Sequence, residues 1–161
     1  MPGFGRTTTS TSGRAVMVLA NLDHAEWKPG GVTLDWTTVT AATSDTTLDD
    51  GNVVPSGQKG IQFGTILTKI TASGKFGPYA SGASDGRQTL TRGECYILNE
   101  TVLQYPAGVG MPGQGATDYP AVFDGGLVWK ARLGIDASGT TTKPSTSSFE
   151  TAFPRISYAQ D

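Results

Sequence analysis

The sequence predicts a mainly β protein, and three observations lead to that fold class. Turn-forming residues are plentiful, with 22 Gly and 9 Pro in 161 residues, while only 37% of residues are hydrophobic and 16% are charged. This composition is typical of a loop-rich β protein. Several segments alternate apolar and polar residues with the period of two that half-buried strands show. No segment has the pattern of a convincing amphipathic helix, although "TVLQY" and "STSSFETAF" allow short helical turns.

The N-terminal third divides into an arm and a β-rich extension. Residues 1–14, "MPGFGRTTTSTSGR", are polar and aperiodic, so they cannot bury enough apolar surface to offset the entropy lost on ordering. We therefore predict a flexible arm there. In the extension, residues 15–55, "AVMVLA" predicts a short buried strand, "NLDHAEWKPGG" a turn, and "VTLDWTTVTAAT" a half-buried strand. "TLDDGNVV" follows with Asp50-Gly51, a tight-turn pair between two extended segments.

The remaining chain predicts further strands, loops and a tail. "IQFGTILTKITAS" predicts one strand, "GKFGPYASGASDGRQ" a turn-rich connection, and "GECYILNETVLQY" a strand pair or one long strand. "PAGVGMPGQGATDYP" must form a loop, since Gly and Pro recur too often for a ladder. "AVFDGGLVWKARLGI" predicts a final hairpin around Asp124-Gly125-Gly126. Residues 136–161 form a tail that begins as a Ser/Thr-rich linker. Its aromatic residues predict docking onto another surface: Phe149, Phe153 and Tyr158.

The charge and the cysteine content exclude several classes of partner. The formal net charge is -2 and Lys and Arg are scattered, so no basic patch predicts binding to nucleic acid. No stretch approaches the ~20 apolar residues of a membrane-spanning helix, and the N-terminus lacks the basic region of a secretory signal. We therefore expect no membrane partner and synthesis in the cytoplasm. Cys95 is the only cysteine, which excludes an intrachain disulfide, and its setting "GECYIL" predicts a buried, inert thiol.

The stretch "GASDG", residues 82–86, fits the G-x-S-x-G pattern of a hydrolase nucleophile elbow. An elbow would make Ser84 a nucleophile, and it needs a strand before the serine and a helix after it. The following "DGRQTLTRGE" does not predict a helix, and the sole histidine, His24, lies before the serine. Chain order alone does not exclude a triad. The absence of a predicted helix after Ser84 and of α/β alternation in the sequence argues most strongly against a nucleophile elbow. We therefore interpret Ser84 as a turn residue and expect no enzymatic activity.

Other chemical motifs have weaker support. Residues 108–113 match G-x-G-x-x-G, but the glycines and the proline within and after them forbid the helix that this fingerprint needs. His24 with Asp23 and Glu26 predicts a solvated turn, because no second ligand stands at metal-binding spacing. The sequon Asn99-Glu100-Thr101 is interpreted as accidental. We therefore predict no catalytic residue, no cofactor and no metal.

Residues 64–89, "GTILTKITASGKFGPYASGASDGRQT", carry a specific pattern. They resemble the head decoration proteins of tailed bacteriophages, the lambda head-decoration-like family, whose members show G-T-V-L-x-K-I-T, then S-G-K-[YF]-x-P-Y, then an A-S-D-G-x-Q turn. We call residues 64–89 the signature segment. Its matching residues are Thr65, Lys69, Ile70, Thr71, Ser73, Gly74, Lys75, Phe76, Pro78, Tyr79, Ala83, Ser84, Asp85, Gly86 and Gln88.

The resemblance covers roughly residues 56–135, about half of the chain. It implies a small β-barrel or β-tulip-like decoration domain there, with residues 1–55 and 136–161 as additions to it. The loop "PAGVGMPGQGATDYP" stands where the family has an acidic stretch. The resemblance further implies a capsid decoration (cement) protein that binds the outer surface of the expanded phage head as homotrimers at three-fold positions. Its partner would be the major capsid protein, and neighbouring decoration trimers are a further possible partner.

Two hypotheses concern the additions. The arm is predicted to order on the capsid by adding a strand to an exposed sheet edge. Its capsid-binding candidates are Arg6, Thr7, Thr8, Thr9 and Arg14. The segment from Ala15 to Val54 is predicted to reach a neighbouring trimer or capsomer.

The alternative function is a virion surface adhesin or carbohydrate-binding β module that displays Trp27 and Tyr79. Glycan binding without binding to expanded heads would favour it. A tail-tube or baseplate component shares the β composition but would form rings or stacks, which sedimentation distinguishes from a trimer.

Overall fold

The computed structural model describes residues 17–104 and 120–159. The strands in this part are β1 (Glu26–Trp27), β2 (Thr46–Thr47), β3 (Val53–Val54), β4 (Gly60–Ile61), β5 (Ile66–Lys69), β6 (Phe76–Pro78), β7 (Cys95–Leu98), β8 (Val102–Leu103), β9 (Val122–Trp129) and β10 (Arg155–Ala159). The helix α1 spans Thr146–Ala152, and 3-10 helices span Trp36–Thr38 and Lys130–Arg132. No helix in these two ranges is both long enough and apolar enough to cross a membrane.

Strand β9 is the centre of a six-stranded sheet with the order β1-β9-β7-β5-β6. These pairs are antiparallel, whereas β10 pairs with β9 in parallel. Because β9 has eight residues, its first half pairs with β7, as Phe123 does with Ile97, and its second half with β10, as Val128 does with Tyr158. The pairs β2-β3 and β4-β8 form separate two-stranded sheets.

Two hydrophobic clusters cover opposite faces of the six-stranded sheet. Successive side chains of a strand point to opposite faces. Ile66 on β5 and Ile97 on β7 therefore join the first cluster, while their neighbours Leu67 and Leu98 join the second. All four side chains are at most 1% exposed. Burial on both faces explains why β7, Cys95–Leu98, is continuously apolar instead of alternating.

The predicted mainly β fold class is confirmed, but the described strands do not close into a barrel. The order of the large sheet ends at β1 on one side and at β6 on the other. The predicted turn at Asp50-Gly51 joins β2 and β3. "IQFGTILTKITAS" forms two strands, β4 and β5, and the segment predicted as a turn-rich connection contains β6. "GECYILNETVLQY" forms the predicted strand pair, but β7 and β8 belong to different sheets.

The segment "VTLDW" buries the side chains that were predicted to be buried, but it does not form the predicted hydrogen-bonded strand. Its core side chains are Val32, Leu34 and Trp36. Leu34 makes only an isolated bridge to Phe76, and the 3-10 helix follows at once. Asp35 ends the extended stretch because its carboxylate accepts a hydrogen bond from the backbone N–H of Thr37 at 3.0 Å. The predicted strand is therefore wrong, although its pattern of burial is right.

The predicted hairpin at Asp124-Gly125-Gly126 is wrong, because β9 continues through these residues. Gly125 faces Glu26 of β1 on one side and Arg155 of β10 on the other. A Cβ atom on Gly125 would lie 2.8 Å from the carboxylate of Glu26. The missing side chain lets Glu26 cross β9 and form an ion pair with Arg155. The glycine therefore serves packing between strands and not a turn.

The described part of the predicted tail, residues 136–159, contributes α1 and β10 to the packed domain, although residues 137, 138 and 140–143 are exposed. Phe149 is fully buried and Phe153 is 2% exposed, and both join the first cluster. Strand β10 follows α1 and pairs with β9. The predicted docking of the aromatic residues thus occurs onto the chain's own sheet.

The described N-terminal extension also contributes buried side chains to the core, from Val18 to the 3-10 helix at Trp36–Thr38. Val18 is fully buried, and the backbone N–H of Leu19 donates to Oδ1 of Asn99 at 3.2 Å. Asn99 is itself 3% exposed, so the amide of the sequon holds the N-terminal segment. This packing argues against the hypothesis that the whole segment from Ala15 to Val54 reaches a neighbour. In the hairpin of β2 and β3, Thr46, Thr47 and Val53 are exposed, whereas Val54 is buried.

Candidate functional site

The signature segment begins as the hairpin of β5 and β6. Its turn is closed by the backbone N–H of Gly74, which donates to the carbonyl of Ile70 at 2.9 Å. The hydroxyl of Ser73 accepts a hydrogen bond from the backbone N–H of Lys75 at 3.3 Å. Phe76 anchors the returning strand in the second cluster. The Ser-Gly-Lys sequence thus forms an exposed turn at the end of the sheet.

The rest of the segment returns to the same hairpin. The carbonyl of Asp85 accepts from the backbone N–H of Thr71 at 2.9 Å. Arg87 donates from Nη1 to the carbonyl of Pro78 at 3.2 Å, and its own carbonyl accepts from Thr68 Oγ1 at 3.0 Å. Thr68 is fully buried, so this bond satisfies a hydroxyl in the core. The turn containing Ser84 is therefore fixed to both strands of the hairpin.

Gly86 packs against the end of β5 with no room for a side chain. Its φ of +110° is a conformation that side chains disfavour. A Cβ atom there would lie 2.5 Å from Thr71 Oγ1 and 2.8 Å from the carbonyl oxygen of Lys69. Gly82, the other glycine of the motif, has no atom within 4 Å of such a Cβ. Only one of the two glycines is thus required by the structure.

Asp85 and Arg87 form an ion pair within the turn, with 2.9 Å between Oδ2 and Nε. The backbone N–H of Arg87 also donates to Oδ1 of Asp85 at 3.1 Å. Burial acts to raise the pKa of Asp85, but the hydrogen bonds and the charge of Arg87 together outweigh it, so the pKa lies below its ordinary value. The carboxylate therefore stays ionised and holds the turn at neutral pH.

The lowered pKa of Asp85 predicts a pH dependence of stability. The ionised carboxylate stabilises the fold above the unfolded pKa of about 4, and this contribution is lost as the pH falls through the lower folded pKa. Asp85→Asn should therefore lower the free energy of unfolding at pH 7 by about 1 kcal/mol or less, because the pair is partly exposed. Urea unfolding at pH 7, 4 and 2 should show the difference from wild type shrinking with acidity. A difference that stays constant would contradict a role for the charge.

A polar groove of about 350 Å³ lies beside Ser84. Its lining residues are Lys69, Thr71, Ser84, Gly86, Gln88, Thr89, Thr91 and Glu94. Lys69 Nζ and Glu94 Oε1 form an ion pair 2.8 Å apart in it. No histidine and no aromatic residue is among the residues that line the groove. The groove therefore gives Ser84 no imidazole base and gives a sugar ring no stacking surface.

The other chemical candidates lie apart from this groove. His24 is exposed in the turn before β1, and Glu26 is paired with Arg155. Cys95 is 1% exposed, and burial raises the pKa of its thiol to about 12, as expected for an inert buried thiol. In residues 17–104 and 120–159, no group of three His, Cys, Asp or Glu side chains is placed to hold a metal ion.

The structure brings together the signature residues but not the other candidates. Those that share the hairpin and its attached turn are Ser73, Gly74, Lys75, Pro78, Tyr79, Ser84, Asp85 and Gly86. The capsid-binding candidates of the arm lie outside the described residues: Arg6, Thr7, Thr8, Thr9 and Arg14. Sequence reasoning missed Arg87, which joins the turn to the hairpin. The Asp85-x-Arg87 spacing is the signal that identifies it, since both side chains can then meet across a tight turn.

Comparison with known proteins gives no further assignment. No protein-family model, no curated protein and no solved structure matches this chain. Any assignment of function therefore depends on the signature residues and on the arrangement described above.

Proposed function

We propose that this chain is a capsid decoration protein of a tailed bacteriophage. It binds the outer surface of the expanded head as trimers at three-fold positions and stabilises the head against the pressure of the packaged DNA. It is synthesised in the host cytoplasm and ends in the virion. Its partner is the major capsid protein, and its domain is a β-tulip-like variant of the decoration fold.

The main support for the proposal is that the parts of the signature segment fold together as one hydrogen-bonded unit. Residues far apart in the pattern meet in three dimensions, since Thr71 binds the carbonyl of Asp85 and Arg87 binds that of Pro78. The glycine of the turn, Gly86, has a φ of +110° and lies close to β5. A pattern that specifies one folded unit in this way supports a shared fold better than an accidental match does.

The physical requirements of a cement protein agree with this chain. Such a protein works by binding, so it needs a rigid β domain and surfaces for several contacts. Three weak contacts of one trimer act as a strong attachment, because after the first contact the others are effectively intramolecular. A net charge of -2 is compatible with a role that involves neither nucleic acid nor membrane.

The carbohydrate-binding alternative has less support. Trp27 lies on β1 and Tyr79 follows β6, at opposite ends of the sheet order. Four strand spacings of about 4.8 Å separate these ends by roughly 19 Å, which is too far for one sugar ring to contact both. Tyr79 also packs against the first cluster, and the polar groove has no aromatic lining. We therefore keep decoration as the proposed function.

Mixing the purified protein with expanded, undecorated heads tests the proposal directly. We expect saturable binding with three copies per three-fold site, because three-fold symmetry fixes the stoichiometry. We also expect decorated heads to resist heat better than bare heads. Unexpanded heads serve as the control and should bind little. Glycan-array binding without any attachment to expanded heads would contradict decoration and favour the adhesin.

Deleting residues 2–14 tests the role of the arm. We expect the shortened protein to stay folded and trimeric but to lose attachment to heads. Arg6→Ala with Arg14→Ala should weaken binding, while Arg92→Ala, which removes an exposed arginine of the folded domain, should not. Unchanged head occupancy by the shortened protein would exclude the arm as the attachment element.

A further inference from the structure

Strand β1 lies at an edge of the large sheet. Trp27 faces Phe123 of β9, and the backbone N–H of the next residue, Lys28, donates to the carbonyl of Val122 at 2.9 Å. In an antiparallel pair this bond pattern marks Trp27 as a residue of a non-hydrogen-bonded pair. Its own N–H and C=O therefore point away from β9. No described strand pairs with β1 on that side.

An exposed apolar side chain lies on this edge. Trp27 is 38% exposed, and the only other large apolar side chains of comparable exposure in the described residues are Leu22, in the turn before β1, and Val53, on β3. The indole of Trp27 contacts Phe123 edge to face, with 5.9 Å between ring centroids. Exposed tryptophans of this kind, supported from one side and open on the other, are enriched at the centres of protein interfaces.

Glu26 of β1 and Lys28, the residue after the strand, carry charges that are complementary to a second copy of the same segment. If two β1 strands pair antiparallel about a two-fold axis at Trp27, Glu26 of one copy lies opposite Lys28 of the other. Lys28 has no carboxylate within ion-pairing distance among the described residues, and its Nζ lies 5.7 Å from the centroid of the Tyr96 ring. Glu26 is 44% exposed, and its carboxylate now extends over β9 to Arg155. In such a pair Glu26 would turn from Arg155, and Lys28 from Tyr96, toward the facing strand. Opposite charges across a strand pair stabilise it.

We propose that β1 is a self-association edge, at which two copies of this chain pair antiparallel with Trp27 on the two-fold axis. The two tryptophan residues exchange backbone hydrogen bonds, and two Glu26–Lys28 pairs flank them. Pro29 ends the ladder because it has no N–H to donate. The contact is therefore short and weak in dilute solution, and it becomes strong where copies are already held side by side. The inference does not rest on the proposed function, but on a capsid it would join neighbouring trimers.

Disulfide trapping tests the register of this pair. The variants Glu26→Cys and Lys28→Cys place sulfurs on opposite residues, whose Cα atoms in such a pair lie within the range that a disulfide bridges. We expect a mixture of the two variants to give about fivefold more covalent dimer than either variant alone, since only the mixture has the geometry that a disulfide needs. Val53→Cys is the matched control, because Val53 is 46% exposed but lies on β3. The native Cys95 is 1% exposed and does not compete.

Equal yields from the mixture, the separate variants and the Val53→Cys control would overturn the proposal. A second test introduces no cysteine. Lys28→Glu should weaken self-association about tenfold by placing like charges opposite each other. Adding Glu26→Lys and Arg155→Gln to it should restore association, because the segment is again self-complementary and the cation that pairs with Glu26 no longer repels the new lysine. Sedimentation velocity at low salt measures both variants, with melting curves to show that they fold. Failure of the triple variant to recover association would also overturn the register.

Discussion

Gly86→Ala is expected to lower the free energy of unfolding by about 3 kcal/mol or more, whereas Gly82→Ala should change it by less than about 0.5 kcal/mol. Alanine at position 86 would need a φ of +110° and would place its Cβ 2.8 Å from the carbonyl oxygen of Lys69. A backbone oxygen in a paired strand cannot move aside as a flexible side chain can. At position 82 a Cβ meets no atom within 4 Å. Urea unfolding of the two variants measures the difference.

The comparison separates two interpretations of the "GASDG" stretch. A nucleophile elbow requires close packing at both glycines around the serine. A turn held to β5 requires only Gly86, which the structure places against Thr71 and Lys69. Similar losses for Gly82→Ala and Gly86→Ala would contradict the turn described here. Ser84→Ala, on the exposed part of the same turn, should leave stability within about 0.5 kcal/mol of wild type.

Local signals in the sequence predicted the local structure well. Asp50-Gly51 forms the turn between β2 and β3, and Cys95 lies buried in a strand as expected. Both predictions depend only on neighbouring residues. The Asp124-Gly125-Gly126 prediction failed because the same dipeptide chemistry also suits a strand that two neighbours must approach closely. Glu26 and Arg155, which make the glycine necessary, are distant in sequence, so no local pattern could reveal them.

The sequence pattern predicted which segment forms the candidate site, but not the contacts that its residues make with one another. The signature pattern identified residues 64–89, and Asp85-Gly86 is the kind of pair that makes a turn, yet no local pattern identified what this turn packs against. In the structure the carbonyl of Asp85 accepts from the N–H of Thr71, and Gly86 packs against Thr71 and Lys69. The role of Arg87 depends on the positions of Pro78 and Thr68, which only the folded hairpin fixes.

The C-terminal residues show how a pattern can be correct and its interpretation wrong. Ser/Thr-rich residues lead into α1, whose N-terminus is capped by Ser145, the hydroxyl of which accepts from the backbone N–H of Ser148 at 3.2 Å. Phe149 and Phe153 then stack with 4.7 Å between ring centroids inside the first cluster. A linker composition predicted a tail, but two aromatic residues one helical turn apart bury the helix against the sheet.

Phe149→Ala is therefore expected to lower the free energy of unfolding by about 3 to 5 kcal/mol, the cost of removing a buried phenyl ring and leaving a cavity. Thr151→Ala on the exposed face of α1 is the matched control and should change stability by less than about 0.5 kcal/mol. Chemical unfolding followed by tryptophan fluorescence measures both, because Trp129 lies on β9 beside β10. A loss of under about 1 kcal/mol for Phe149→Ala would show that the helix is peripheral, as a tail would be. The expected larger loss would make α1 and β10 part of the folded domain, since β10 pairs with the second half of β9.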